Sequence, residues 1–233
     1  MNKKLFELSY SVRKDFEKKI SSVLFFVICI FVAINLFVAF VAFSVRIASG
    51  SMEPDSGKNT CILFSPLKRN VGRSTVVLLE PLQKSNDSFL FKAADCVVRF
   101  FTAQQFSIVS SRKNMGANRL VRRVIGVPGD TIYMRDYVIY IKPAGEDFFL
   151  TEFELVKKPY NVSINAAPSL WDSSLGVCGS FDQVTLGEDE YFVLGDYRNS
   201  CVDSRFFGTV EGKDIKAGAL VSYFPLNKIR IYF

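Results

Sequence analysis

The sequence predicts a mainly β protein carried on an N-terminal transmembrane helix, with one helical segment added to the β-domain. Three observations predict it. A long uncharged run lies near the N-terminus. Short runs rich in Val, Ile, Tyr and Phe, separated by turn residues, follow it. One interior stretch breaks that pattern with apolar residues at helical spacing. At 233 residues, 49% of them hydrophobic and 23 of them Phe, the chain suffices for one anchor and one β-type domain.

The anchor comes first. Residues 20–45, "ISSVLFFVICIFVAINLFVAFVAFSV", contain no charged side chain. A helix needs about 20 apolar residues to cross a bilayer. A cleaved signal peptide would have an apolar region of only about 7–15 residues, although "IAS" (47–49) has the small residues of a cleavage site. Lys3, Lys4, Arg13, Lys14, Lys18 and Lys19 precede the run and Arg46 alone follows closely. That asymmetry places residues 1–19 in the cytoplasm and residues 46–233 outside, in a single-pass inner-membrane arrangement with the lipid bilayer as a partner.

Beyond the anchor, "STVVLLE" (74–80), "RLVRRVIGV" (119–127), "TIYMRDYVIYIK" (131–142), "EYFVLGD" (190–196), "ALVSYF" (219–224) and "KIRIYF" (228–233) read as strands. The "RD" of the third reads as a hairpin turn. Residues 87–109 carry Leu90, Ala94, Val97, Val98 and Phe101 at helical spacing. That segment is either a helix packed on the β-core or one resting on the lipid surface. Residues 81–118 and 143–189 read as insertions, the second irregular and broken by Pro143, Pro159 and Pro168.

Composition excludes several functions. The net charge of +6 is concentrated at the N-terminus and has no basic–aromatic motif beside it, so nucleic acid is not an expected partner. There is no histidine, which excludes a Ser-His-Asp triad, a Cys-His dyad and a His-ligated zinc. No metal and no cofactor are implied. The five cysteines are odd in number and form no CxxC. One pair among Cys61, Cys96, Cys178 and Cys201 stays open in an oxidising compartment.

Three boxes occur in order behind the anchor: "SGSMEP" (49–54), "RRVIGVPGD" (122–130) and "GDYRNSCVDSRFFG" (195–208). Together they resemble the type I signal peptidases, membrane-bound serine endopeptidases that remove signal peptides from exported preproteins with a Ser-Lys dyad. The resemblance covers about half of the chain. It implies Ser51 as nucleophile, with the Ser51 N–H and the Ser49 hydroxyl as oxyanion donors. It implies that Gly126, Pro128, Gly129 and Asp130 shape the turn after the base-bearing strand. Asp196, Arg198, Cys201, Asp203, Ser204 and Arg205 support the site, with Asp203 and Arg205 as an ion pair. Signal peptides would be the partners, with small residues at −1 and −3.

The sequence departs from the family where the chemistry is done. Arg122 stands where the family has its lysine base, and a guanidinium stays protonated at physiological pH. Cys201 replaces the serine that would hydrogen-bond the lysine amine, and Tyr197 replaces an asparagine. One reading is an active peptidase with a rearranged base, reached by Lys92 or Lys113 or helped electrostatically by Arg122. Another is a weak or inactive paralogue that binds signal peptides or regulates their processing. A third is a membrane-anchored structural β-domain, in which Ser49, Ser51, Arg122 and Cys201 would scatter.

Overall fold

The computed structural model describes residues 2–68, 71–79, 98, 120–156, 158–164, 179–199 and 201–232. Helix α1 runs Asn2–Phe40. Its apolar part, Phe16–Val38, has a mean hydropathy of 2.7, and its 23 residues would span about 34 Å at 1.5 Å each, enough for a hydrocarbon core of about 30 Å. The helix ends five residues before the expected end of the anchor at 45. After Val41 and Ala42 the chain extends into β1 (Phe43–Arg46). Phe43 and Val45 pack on the first core cluster instead of facing outward.

The described part of the β-domain holds two sheets. The larger runs in the order β1, β2 (Cys61–Ser65), β11 (Ile215–Phe224), β3 (Val76–Leu79), β4 (Leu120–Gly126), β9 (Glu190–Leu194), β10 (Val210–Glu211). The ten-residue β11 serves β3 with its first half and β2 with its second, and β12 (Arg230–Ile231) pairs with its far end. The smaller sheet runs β7 (Leu150–Thr151), β6 (Val138–Lys142), β5 (Thr131–Arg135), β8 (Phe181–Thr185). One short helix, α2 (Ser204–Phe207), is capped by the Asp203 side chain.

The β4 strand carries the alternation that places the site. Val121 packs in one cluster with Ile47, Met52 and Phe64. Val124 packs in another with Val77 and Val193. Between them Arg122 and Arg123 sit opposite Val77 and Val76 of β3, so the two arginines leave opposite faces of the sheet. The hairpin turn falls one residue later than the sequence suggests. Asp136 and Tyr137 both have positive φ, 50° and 66°, as a two-residue type I′ turn demands. Apart from Val98, which is helical, segments 87–109 and 81–118 lie outside the described residues. Of the insertion 143–189, residues 150–151 and 181–185 are strand. Cys61 and Cys201 are free thiols, and Cys96 and Cys178 lie outside the described residues.

Candidate active site

The loop between β1 and β2 carries Ser49 and Ser51. Met52 is wholly buried in the first core cluster, which fixes the backbone beside Ser51. Burying such a side chain is worth about 1.5–3 kcal/mol. Below the loop, the Asp55 carboxylate pairs with Arg230 of β12 and lies 3.8 Å from Arg123. The Ser56 hydroxyl meets the Tyr232 hydroxyl at 2.6 Å. The C-terminal strand therefore clamps the far side of the Ser51 loop.

Arg122 reaches the same loop from β4. Its Nη1 donates to Ser51 Oγ at 3.0 Å and to the Val121 carbonyl at 2.6 Å. Its Nε and Nη2 donate to the Val202 carbonyl at 2.9 and 2.6 Å. Ser49 Oγ lies 3.0 Å from Ser51 Oγ. Ser51 and Arg122 are 8% and 4% exposed, so the contact is buried in protein, where a hydrogen bond is electrostatically stronger than in water. The Ser51 N–H makes no hydrogen bond among the described residues.

The third box folds around this pair. Gly195 follows β9, and a side chain there would collide with the Ser51 carbonyl at 2.7 Å and the Cys201 sulfur at 2.1 Å. Only glycine permits that approach. The Tyr197 N–H donates to the Ser51 carbonyl at 3.1 Å. Asp203 accepts from Arg205 through both oxygens at 2.9 and 2.7 Å, and from the Gly195 N–H at 3.2 Å. The Ser204 hydroxyl accepts from the Val193 N–H at 3.0 Å. The Cys201 thiol is buried, and burial pushes its pKa up to about 11, Arg122 working against the rise and Asp203 with it. It is a neutral thiol at pH 7. No hydrogen bond joins it to Arg122.

Two further ion pairs lie beneath. Arg123 grips Asp196 with Nε and Nη2 at 2.8 and 2.5 Å and stacks 4.0 Å over the Tyr160 ring. Arg198 is completely buried and donates to Glu152 at 2.7 Å, and Glu152 also accepts from the Tyr160 hydroxyl at 2.8 Å. Burial pushes the carboxyl of Asp196 up, and Arg123 and Arg198 oppose that rise. The turn after β4 is built as a type II turn. Pro128 sits at its second position, Gly129 takes φ +83° at its third, and the Asp130 N–H donates to the Val127 carbonyl at 3.1 Å. The Asp130 carboxylate accepts from the Val127 N–H and from Arg73. Gly126 follows a register shift in the β4–β9 pairing.

Every site residue named from the three boxes is among the described ones, whereas the alternative bases Lys92 and Lys113 lie outside them. Ser49, Ser51 and Arg122 join directly. Cys201, Asp203, Ser204 and Arg205 surround them through Gly195 and the Val202 carbonyl. Asp196 and Arg198 lie under that layer, and Gly126, Pro128, Gly129 and Asp130 stand at the far end of β4. Sequence reasoning missed Asp55, Arg73, Glu152, Tyr160, Arg230 and Tyr232. Each acts on a partner 57 to 176 residues distant, or stands, like Glu152, in a stretch read as an insertion. No local spacing announces such contacts.

A family model described as signal peptidase, peptidase S26, matches residues 19–224. Signal peptidase I of Bacillus licheniformis is 32% identical over 145 residues, covering 61% of this chain and 69% of its own length. Signal peptidase I of Streptococcus pneumoniae strain R6 is 30% identical over 152 residues, with coverages of 57% and 74%. Signal peptidase I P of Bacillus subtilis subsp. natto is 34% identical over 111 residues, with coverages of 47% and 54%. The matches thus span between 54% and 74% of these relatives' lengths. Among solved structures, a signal peptidase I from Enterococcus faecalis V583 is 26% identical and covers 64% of this chain and 96% of its own, at a TM-score of 0.32. With the family model matching most of its length, this chain belongs to the signal peptidase family, peptidase S26.

Proposed function

We propose that this protein is anchored in the cytoplasmic membrane by α1, N-terminus inside, and binds the signal peptides of exported proteins at Ser51 on the outer face. It turns them over slowly or not at all by a Ser-Lys type of mechanism. One observation carries the proposal: Arg122 Nη1 lies 3.0 Å from Ser51 Oγ, where a general base would have to be. A guanidinium donates hydrogen bonds and accepts none. The Ser51 oxygen thus receives a hydrogen bond where an active dyad would take its proton away. A serine hydroxyl without a base is a weak nucleophile.

The test uses the full chain in detergent micelles and an exported preprotein with an Ala-X-Ala cleavage site. Binding should be measurable, cleavage at pH 7 slow, and Ser51→Ala should leave binding intact. Rapid cleavage abolished by Ser51→Ala would overturn the proposal. A second reading, an active endopeptidase with another base, is favoured by the Ser49–Ser51 contact and by the Ser51 N–H, which makes no hydrogen bond among the described residues, an arrangement suited to an oxyanion. In that case Lys92→Met or Lys113→Met should remove the activity.

A further inference from the structure

The arginines around the site differ in one respect. Arg73, Arg123, Arg198 and Arg205 each face a carboxylate: Asp130, Asp196, Glu152 and Asp203. Arg122 is buried like Arg123 and Arg198, yet it has no ion pair among the described residues. Its bonds go to the Val121 and Val202 carbonyls and to the Ser51 hydroxyl, all neutral acceptors. Neighbouring Asp203 is committed to Arg205, and the Cys201 thiol stays neutral below a pKa of about 11. Burying a charge without a partner is costly, and an incoming counter-ion recovers part of that cost.

Ser51 Oγ accepts from Arg122 and shares a second hydrogen bond with Ser49 Oγ, in which either hydroxyl can donate. Ser49 Oγ stands 3.0 Å from it at the exposed side of the loop. The Ser51 N–H is unengaged among the described residues. The Ser49–Ser51 hydroxyl pair and one amide N–H thus stand beside a cation that pairs with no carboxylate among the described residues. An oxygen hydrogen-bonded to Ser51 Oγ would sit about 4–6 Å from the guanidinium, the range over which an opposite charge acts strongly.

We infer that this site is a receptor for the free α-carboxylate of a peptide, selecting chains that end at the −1 residue over chains that continue through it. The ligand class is a signal-sequence peptide with a C-terminal small residue, the product of a cleavage made elsewhere. The inference rests on the signal-peptide reading above and adds the terminal carboxylate as the group that is read. A lysine losing its proton to act as base could not hold such an anion; a permanently charged arginine can.

The experiment compares two synthetic peptides of one signal sequence ending in alanine, one as the free acid and one as the C-terminal amide. Both are titrated against the full chain in detergent micelles at pH 7 by calorimetry. The free acid should bind about tenfold tighter or more, the scale of one charge-assisted contact. In Arg122→Gln the two should bind alike. Equal binding of acid and amide to the unaltered protein overturns the inference and leaves the signal-peptide reading standing, because the amide alone reports that reading. Binding of neither peptide overturns both. An acid preference that survives in Arg122→Gln also overturns it, since the carboxylate would then be read by another group. The comparison on the unaltered protein decides even where the glutamine variant fails to fold.

Discussion

Replacing Arg122 with lysine is the sharpest perturbation of the site. A lysine amine sits about where the guanidinium carbon now lies, roughly 1.3 Å short of Nη1 by ordinary bond lengths. From the 3.0 Å of the present contact, a side chain held in the same line would leave its amine about 4 Å from Ser51 Oγ, beyond proton-transfer reach. A rotamer change can close that gap. The Val121 and Val202 carbonyls that now receive Arg122 would, however, also hold an ammonium and favour its charged form. Arg122→Lys alone should therefore gain less than tenfold in cleavage. Adding Cys201→Ser supplies a hydroxyl that can accept from the amine in the active rotamer. The double variant should gain about 10²–10⁴-fold, the usual worth of a general base, or roughly 3–5 kcal/mol of barrier. The two changes should be non-additive, because they act as a unit. The assay is kcat/KM on a preprotein across pH 6–10, with activity rising as the amine loses its proton and vanishing in Ser51→Ala. Fast cleavage by the unaltered protein, unchanged by either substitution, would refute the reasoning and put the base elsewhere.

The remaining predictions concern the frame and the topology. Arg205→Met leaves Asp203 as a buried carboxylate without its partner and should cost about 3–5 kcal/mol, read as a lowered Tm. Tyr232→Phe removes the 2.6 Å contact to Ser56 and should cost about 1 kcal/mol. It should raise hydrogen exchange over residues 49–57 more than over β9; a uniform rise would deny Tyr232 a positioning role. With its thiol near a pKa of about 11 and buried, Cys201 should resist iodoacetamide at pH 8 in the folded protein; labelling there as fast as after unfolding would contradict the burial. Protease added to the outer face of intact spheroplasts should digest the β-domain, and its protection would reverse the proposed orientation.

Much of the frame was legible because it depends on local pattern. The β4 run "RLVRRVIGV" has β-branched residues on both faces, and the "VPGD" after it dictates its own turn through Pro128 and a positive φ at Gly129. The hairpin of β5 and β6 was legible as well, displaced by one residue because Asp136 and Tyr137, not Arg135, take positive φ. Strands β1 and β2 were not. Phe43–Arg46 continues an apolar run, and only its register against Phe64–Cys61 makes it a strand. The sequence singled out Arg122 through its box, but not the Val202 carbonyl that receives it 80 residues on. It could not reveal that Glu152, in an irregular stretch, is the carboxylate for a fully buried Arg198.

The ion pairs also explain how the site can hold together with an arginine at 122. Arg123–Asp196, Arg198–Glu152 and Arg205–Asp203 fix the third box against β4 and the smaller sheet. None of them uses residue 122. Breaking one would leave a buried charge uncompensated, at about 3–5 kcal/mol, a large fraction of the 5–15 kcal/mol by which a typical domain is stable. Residue 122 obeys a different constraint. It must reach Ser51 from the face of β4 opposite Arg123, and its hydrogens must meet the Val121 and Val202 carbonyls. A lysine can meet the same carbonyls and reach Ser51 after a rotamer change, and of the two side chains only lysine can give up its proton. The frame should therefore tolerate either side chain at 122. Stability measurements should separate the two: a change at 122 that preserves a donor should leave Tm nearly unmoved while altering cleavage or peptide binding, whereas a change at Asp196 or Asp203 should move Tm first. If Arg122→Lys lowered Tm as much as loss of an ion-pair partner does, residue 122 would belong to the frame, and scaffold and chemistry would not be separable at this position.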